Sequence, residues 1–299
     1  MTPMQGEFAA LMTAGCWTVS ALSFESASRR IGSLAVNMLR LFIALAFLSA
    51  YGYLVRGAAL PLDASGHMWF WLTLSGLAGF TLGDMCLFRS FIVIGSRTTM
   101  LMMSLVPVLT ALMSRAALGE SMVGRHWLGL FLTVGGVALV VSEKRRDENG
   151  EAKPLPLSGI LLAVGAAMGQ ASGLVLSKHG MRDYDPFAAT QIRVIAGIAG
   201  FSLIFFLSGW WPKVLEGLRN GAAMARLSLG AFFGPFLGVS LSLAAVQSAK
   251  TGVAAALMSI TPILIIPPSI ILFKEKITWR AVAGAAVAVI GVGILLYQV

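Results

Sequence analysis

The chain alternates long apolar stretches with short polar ones. Charge-free runs cover Phe8 to Phe24, Leu41 to Val55, Ala64 to Gly83, Thr98 to Ser114, Trp127 to Ser142, Pro154 to Ser177, Val194 to Pro212, Leu227 to Ala249, Thr251 to Phe273 and Ala281 to Val299. A helix needs about 20 apolar residues to cross roughly 30 Å of hydrocarbon, so each run is expected to supply one crossing. The pattern predicts an all-α integral membrane protein with ten transmembrane helices. Strands of a membrane barrel would alternate apolar and polar positions over about 10 residues, and no such alternation occurs. No basic residue precedes Phe8 and no small-residue cleavage site stands out, so the first run reads as a retained span.

The second half repeats the first. Ser104-Leu-Val-Pro107 recurs as Ser259-Ile-Thr-Pro262, and Glu120, Arg125, Gly129 and Gly136 recur as Glu275, Arg280, Gly284 and Gly291, each pair 155 positions apart. Gly79 and Gly83 match Gly234 and Gly238 at the same step, whereas Arg40 faces Arg193 at 153, which a two-residue indel explains. The one hydrophilic connection, 143–156, separates a first repeat, 1–142, from a second, 157–299. Five predicted crossings in each half force the second copy to insert upside down. Two inverted five-helix repeats around a central cavity are a recurrent plan of secondary transporters.

Composition agrees: 57% of residues are apolar, 12% are charged, and mean hydropathy is +0.84. The net charge of +9 resides in connections between spans, where it sets topology and does not indicate nucleic acid as a partner. Alternate connections hold fourteen and six basic residues, which taken literally puts both termini outside the cytoplasm. Cys16 and Cys86 both fall in spans, so neither a disulfide framework nor a metal site is expected. The chain has no phosphate-gripping loop with its lysine, no paired-histidine motif and no nucleophile elbow, so no cofactor, no direct use of ATP and no enzymatic site are expected.

Pro107 and Pro262 interrupt apolar helices and predict a symmetric pair of kinks. Glycine stripes at 76, 79, 83 and at 230, 234, 238 predict close helix packing. Ionisable groups at membrane depth need partners: Asp84 is read as a substrate or coupling-proton site or as half of an ion pair, and Glu25, Arg40 and Arg193 as structural charges. Glu25 stands one turn before Arg29. Thr13, Trp17, Ser20 and Phe24 share one helix face. With Asp84, Met100, Ser104, Gln170 and Ser259, Trp17 and Ser20 make up the expected lining of the cavity.

The stretch Gly83-Asp-Met-Cys-Leu-Phe-Arg-Ser-Phe, Gly95-Ser-Arg-Thr-Thr, Ser104-Leu-Val-Pro, Leu118-Gly-Glu120 and Gly135-Gly-Val resembles the EamA-type repeat of the drug/metabolite transporter superfamily. Arg40 and Arg193 resemble the arginine that opens the second helix of each half in that family. The chain departs from the pattern at Cys16-Trp17-Thr18 and at Lys274. The resemblance implies a cavity lined by helices one, three, four, six, eight and nine, and termini in the cytoplasm, against the charge count. It also implies alternating-access movement of a small metabolite across the cytoplasmic membrane, with export of an amino acid or related compound as the expected case. The chain would work as a monomer or homodimer embedded in the lipid bilayer. Exchange of phosphorylated or nucleotide-linked solutes, a membrane enzyme and a non-transporting scaffold are the alternatives.

Overall fold

The computed structural model describes residues 3–118, 124–141, 145–146, 152–153, 155–248, 258, 260–273 and 278–296. Its helices are α1 (Pro3–Ile31), α2 (Ser33–Arg56), α3 (Gly66–Ile94), α4 (Ser96–Met102), α5 (Leu105–Leu118), α6 (Gly124–Val141), α7 (Leu157–Met181), α8 (Pro186–Ser208), α9 (Trp211–Leu218), α10 (Gly221–Gln247), α11 (Thr261–Leu264), α12 (Ile266–Phe273) and α13 (Trp279–Leu296). In the linker Arg145 and Arg146 pair antiparallel with Lys153 and Ala152, a small exception to the expected all-helical chain.

Five of these helices, α2, α3, α7, α8 and α10, are long and apolar enough to cross a membrane. The other expected crossings differ for identifiable reasons. Glu25, Arg29 and Arg30 load the end of α1 with charge. The fourth run divides into α4 and α5 at Met103–Ser104, because the Pro107 ring would clash with the Met103 carbonyl one turn back and has no N–H to give it. Val106 N donates to Met103 O at 2.9 Å instead, so the break is shifted three to four residues ahead of the proline. In the second half Pro262 lies within α11, and a further break at Ile265 precedes Pro267 and Pro268.

Helices α3 and α10 each contain a wide π-helical turn, Leu77–Gly83 and Phe232–Gly238, at matching positions of the repeat. Asp84 N closes one on Gly79 O, and Val239 N closes the other on Gly234 O. Pro235 supplies no N–H inside its turn. Such turns insert one residue into a helix and recur at functional sites.

Packing pairs helices from opposite halves. Trp17, Ser20 and Phe24 of α1 lie on Gly238, Gly234 and Gly230 of α10; a Cβ on Gly238 would sit 3.0 Å from Trp17 Cδ1, and one on Gly230 2.5 Å from Phe24 Cε1. Gln170, Gly173 and Ser177 of α7 lie on Gly83, Gly79 and Ser75 of α3 in the same order. A Cβ on Gly169 would come within 2.5 Å of Gly83 Cα, and one on Gly173 within 3.3 Å of Gly79 Cα. Steps of 153 and 155 convert the first set of contacts into the second.

Helices α6 and α13 make the third such contact. Gly136 abuts Gly284 O while Gly291 abuts Gly129 O, at 2.6 and 2.8 Å from an added Cβ, and Thr133 lies against Ala288, 155 positions away. This contact maps onto itself when the two copies are exchanged. The glycines of α3 thus serve backbone-to-backbone approach between halves, and those of α10 make room for the α1 side chains, as small residues do in membrane bundles.

Candidate functional site

A buried polar cluster forms where α2, α3, α7 and α8 meet. Asp84 follows directly on the wide turn of α3 and is 3% exposed. Its carboxylate accepts from Arg40 Nη2 of α2 at Oδ2, and from Gln170 Nε2 of α7 at Oδ1 at 2.8 Å. Asn37 Nδ2, one turn before Arg40, donates to the Asp84 carbonyl at 3.2 Å. Arg40 is 2% exposed, so neither charge of the pair reaches bulk water. Charge pairing together with the amide donors is what makes burial of such groups tolerable.

Aromatic rings surround the cations. Arg40 Cζ stands 4.7, 5.5 and 5.6 Å from the ring centroids of Phe88, Phe80 and Phe24. Arg193 Cζ of α8 stands 5.0 Å from the Phe80 centroid. Phe80 therefore bears on both repeat-related guanidiniums, and cation–π attraction strengthens where water is excluded. Arg193 Nη2 passes between helices α3 and α7, at 3.2 and 3.4 Å from the Cβ positions of Gly79 and Gly173. Its Nε has no hydrogen-bond partner among the described residues, and no salt bridge joins Arg193 to a carboxylate there.

Of the expected site residues, Asp84, Gln170, Arg40 and Arg193 come together in this cluster. Trp17 and Ser20 lie against the α10 glycines. Met100 and Ser104 are buried around the α4–α5 break, and Ser104 Oγ has no hydrogen-bond partner among the described residues. Ser259, Glu120 and Glu275 lie outside the described residues. Glu25 pairs with Arg29 at 2.6 Å as its spacing suggests, and its other oxygen accepts from Ser96 N, the first residue of α4, at 2.9 Å. Sequence reasoning missed Asn37 and Phe80, although each stands one helical turn from a residue it singled out, Arg40 and Asp84 respectively.

A second polar network closes one end of the bundle. Tyr184 Oη, in the α7–α8 connection, donates to Asp63 Oδ1 at 2.8 Å, while Arg56 Nη2 reaches Asp63 Oδ2 at 2.6 Å. Gln247 of α10 donates to the carbonyls of Arg182 and Tyr184, and Gln191 of α8 to that of Ala59. Burial and the bond to Asp63 push the Tyr184 hydroxyl up to about 12. Burial alone would raise the Asp63 carboxyl, but Tyr184 and Arg56 outweigh it and hold it below the ordinary value.

The family model of the EamA-like transporters matches residues 4–142 and again 157–297. Similar proteins include the uncharacterized transporter sll0355 of Synechocystis, 26% identical over 83% of this chain and 79% of its own length. The uncharacterized transporter YvbV of Bacillus subtilis is 27% identical over 60% of this chain, and the match spans only 55% of that relative. A solved crystal structure aligns over 98% of this chain and 96% of its own with a TM-score of 0.67 at 15% identity, which is a likeness of fold. With both halves matching the same model and packing through repeat-related contacts, the chain belongs to the EamA-like transporter family of multi-pass membrane proteins.

Proposed function

We propose that this transporter moves a small metabolite, an amino acid or related compound, out of the cell across the cytoplasmic membrane by alternating access, without enzymatic chemistry. On this reading the chain makes ten crossings as two inverted five-helix repeats, 1–142 and 157–299, joined by 143–156. The observation that carries it is the exchange of partners between halves: α1 rests on α10, and α7 rests on α3, through repeat-related residues. Two such seams related by a two-fold give the bundle two equivalent ways to tilt, one opening to each side.

The buried cluster at Asp84 adjoins one seam, since Gln170 belongs both to the cluster and to the α7–α3 contact. Asp84 and Gln170 are thus the polar groups that a solute moving along that seam would meet. Trp17, Ser20, Met100, Ser104 and Ser259 complete the proposed path, and the breaks near Pro107 and Pro262 give it irregular backbone, which a membrane tolerates where it faces protein or a water-lined cavity.

Purified protein in proteoliposomes, preloaded with a labelled amino acid, tests the reading. Counterflow is expected for at least one of the twenty, in both orientations of the vesicle. Absence of flux for amino acids and their amine and keto-acid relatives, with protein that remains folded, would remove it.

A further inference from the structure

Within the buried cluster the duplication retained both arginines but a single acid, Asp84; the other buried acid among the described residues, Glu25, lies apart and pairs with Arg29. Arg40 and Arg193 are counterparts, yet the counterpart of Asp84 is Val239, which closes the wide turn of α10 as Asp84 closes that of α3. Arg40 therefore has its carboxylate and Arg193 does not. Arg193 is 4% exposed, its Nε has no hydrogen-bond partner among the described residues, and the described groups around it include the Phe80 ring, Gly79, Gly173 and the nearby charge of Asp84. Two guanidiniums and one carboxylate leave one positive charge in excess within this cluster, and an unneutralised charge is unfavourable there. A proton on Asp84 would enlarge that excess, whereas one anionic group would cancel it.

We propose that Arg193 is the receptor for a single anionic group, a carboxylate or a small inorganic anion, that enters between α3, α7 and α8. The site takes the place of the acid that the second repeat lacks. Nη2 lies against the backbones of Gly79 and Gly173 at the rim of the α3–α7 contact, and an arginine fork suits a carboxylate. The proposal rests on the transport reading only for the origin of the anion: it is the solute's own carboxylate or an ion carried with it. A singly charged acceptor also disfavours phosphorylated solutes, whose second charge the cluster does not match.

Thermal unfolding of the full chain in detergent tests the site without requiring transport. The probes are L-alanine, L-leucine and L-phenylalanine, each against its carboxamide, and sodium chloride against sodium isethionate at equal ionic strength. At least one carboxylate or chloride is expected to raise the midpoint by a few degrees while its neutral or bulky counterpart does not. Response to an amino acid identifies a solute carboxylate; response to chloride alone identifies a co-ion. Arg193→Gln is expected to erase the response, and Gly79→Ala to weaken it by crowding Nη2. If Arg193→Gln does not fold, Gly79→Ala decides. Equal stabilisation by the carboxamides, no response to any anion, or full response in Gly79→Ala would overturn the proposal. Anion-dependent stabilisation without flux in proteoliposomes keeps this site and removes the transport reading; flux without any anion response does the reverse.

Discussion

Arg40 and Asp84 form a salt bridge across 44 positions of chain with side chains 3% and 5% exposed. Removing one partner of so buried a pair leaves the other charge alone in the membrane, at a cost of about 3–5 kcal/mol. Asp84→Asn is expected to lower the unfolding midpoint in detergent and to reduce flux to background. Arg40→Gln combined with Asp84→Asn should recover part of the stability, since neither charge is then orphaned, without recovering transport. Wild-type flux in Asp84→Asn at several pH values would exclude the carboxylate from the mechanism.

Two adjacent glycines supply a controlled comparison. A Cβ on Gly136 would lie 2.5 Å from Ala288 N, whereas Gly135 has nothing within 4 Å. Gly136→Val should destabilise the protein by about 1–3 kcal/mol through overpacking, and Gly135→Val by much less. Gly291→Val should match Gly136→Val, because the two positions exchange roles across the α6–α13 contact. Denaturation in mixed micelles measures all three.

Glu25 joins α1 to the start of α4, and its two partners, Arg29 and Ser96 N, are unequal in consequence. Its carboxylate is 1% exposed, while Arg29 is 44% exposed. Glu25→Ala leaves the Ser96 N–H without its acceptor and is expected to cost about 1–3 kcal/mol. Arg29→Ala removes only a half-exposed partner and should cost under about 1 kcal/mol. A reversed ranking in thermal unfolding would show that the link to α4 does not hold.

Tyr184 should be a late-titrating tyrosine. The folded protein keeps its hydroxyl protonated to about pH 12, above the ordinary value of 10.0, so the stability this contributes is present below pH 10 and is lost as pH rises towards 12. Asp63 has the opposite sign: its contribution is present above its ordinary value of 3.8 and is lost as pH falls through a lower one. In a phenolate absorbance titration, Tyr184→Phe should remove a step near pH 12, and Asp63→Asn should move that step downward.

The sequence pattern made the helices, their glycine faces and the membrane-depth charges legible, because periodicity and residue cost are properties of single segments. Partner choice is not such a property. The face bearing Trp17, Ser20 and Phe24 reads in the sequence as a candidate cavity wall, and nothing in its spacing announces the glycines more than 200 positions away on which it packs. A wall and a seam share the same spacing and the same small or amphipathic residues. Likewise Phe80 is one apolar residue among many until Arg40 and Arg193, from different repeats, are both brought to its ring. The proline positions announced helix breaks, but the first falls at Met103–Ser104, where the Pro107 ring displaces the Met103 carbonyl, and the second at Ile265, beyond Pro262 and ahead of Pro267.

The crossed packing of the halves also bears on how the molecule is made. Helix α1 leaves the ribosome long before α10, its resting surface, has been synthesised, a delay of about 10–40 s at roughly 5–20 residues per second. Until then Trp17 and Ser20 have only lipid or a chaperone against them, and the buried arginine of α2 depends on early arrival of α3. Assembly of the mature bundle is therefore a late event, triggered by the second copy threading itself between helices that the first copy has left waiting.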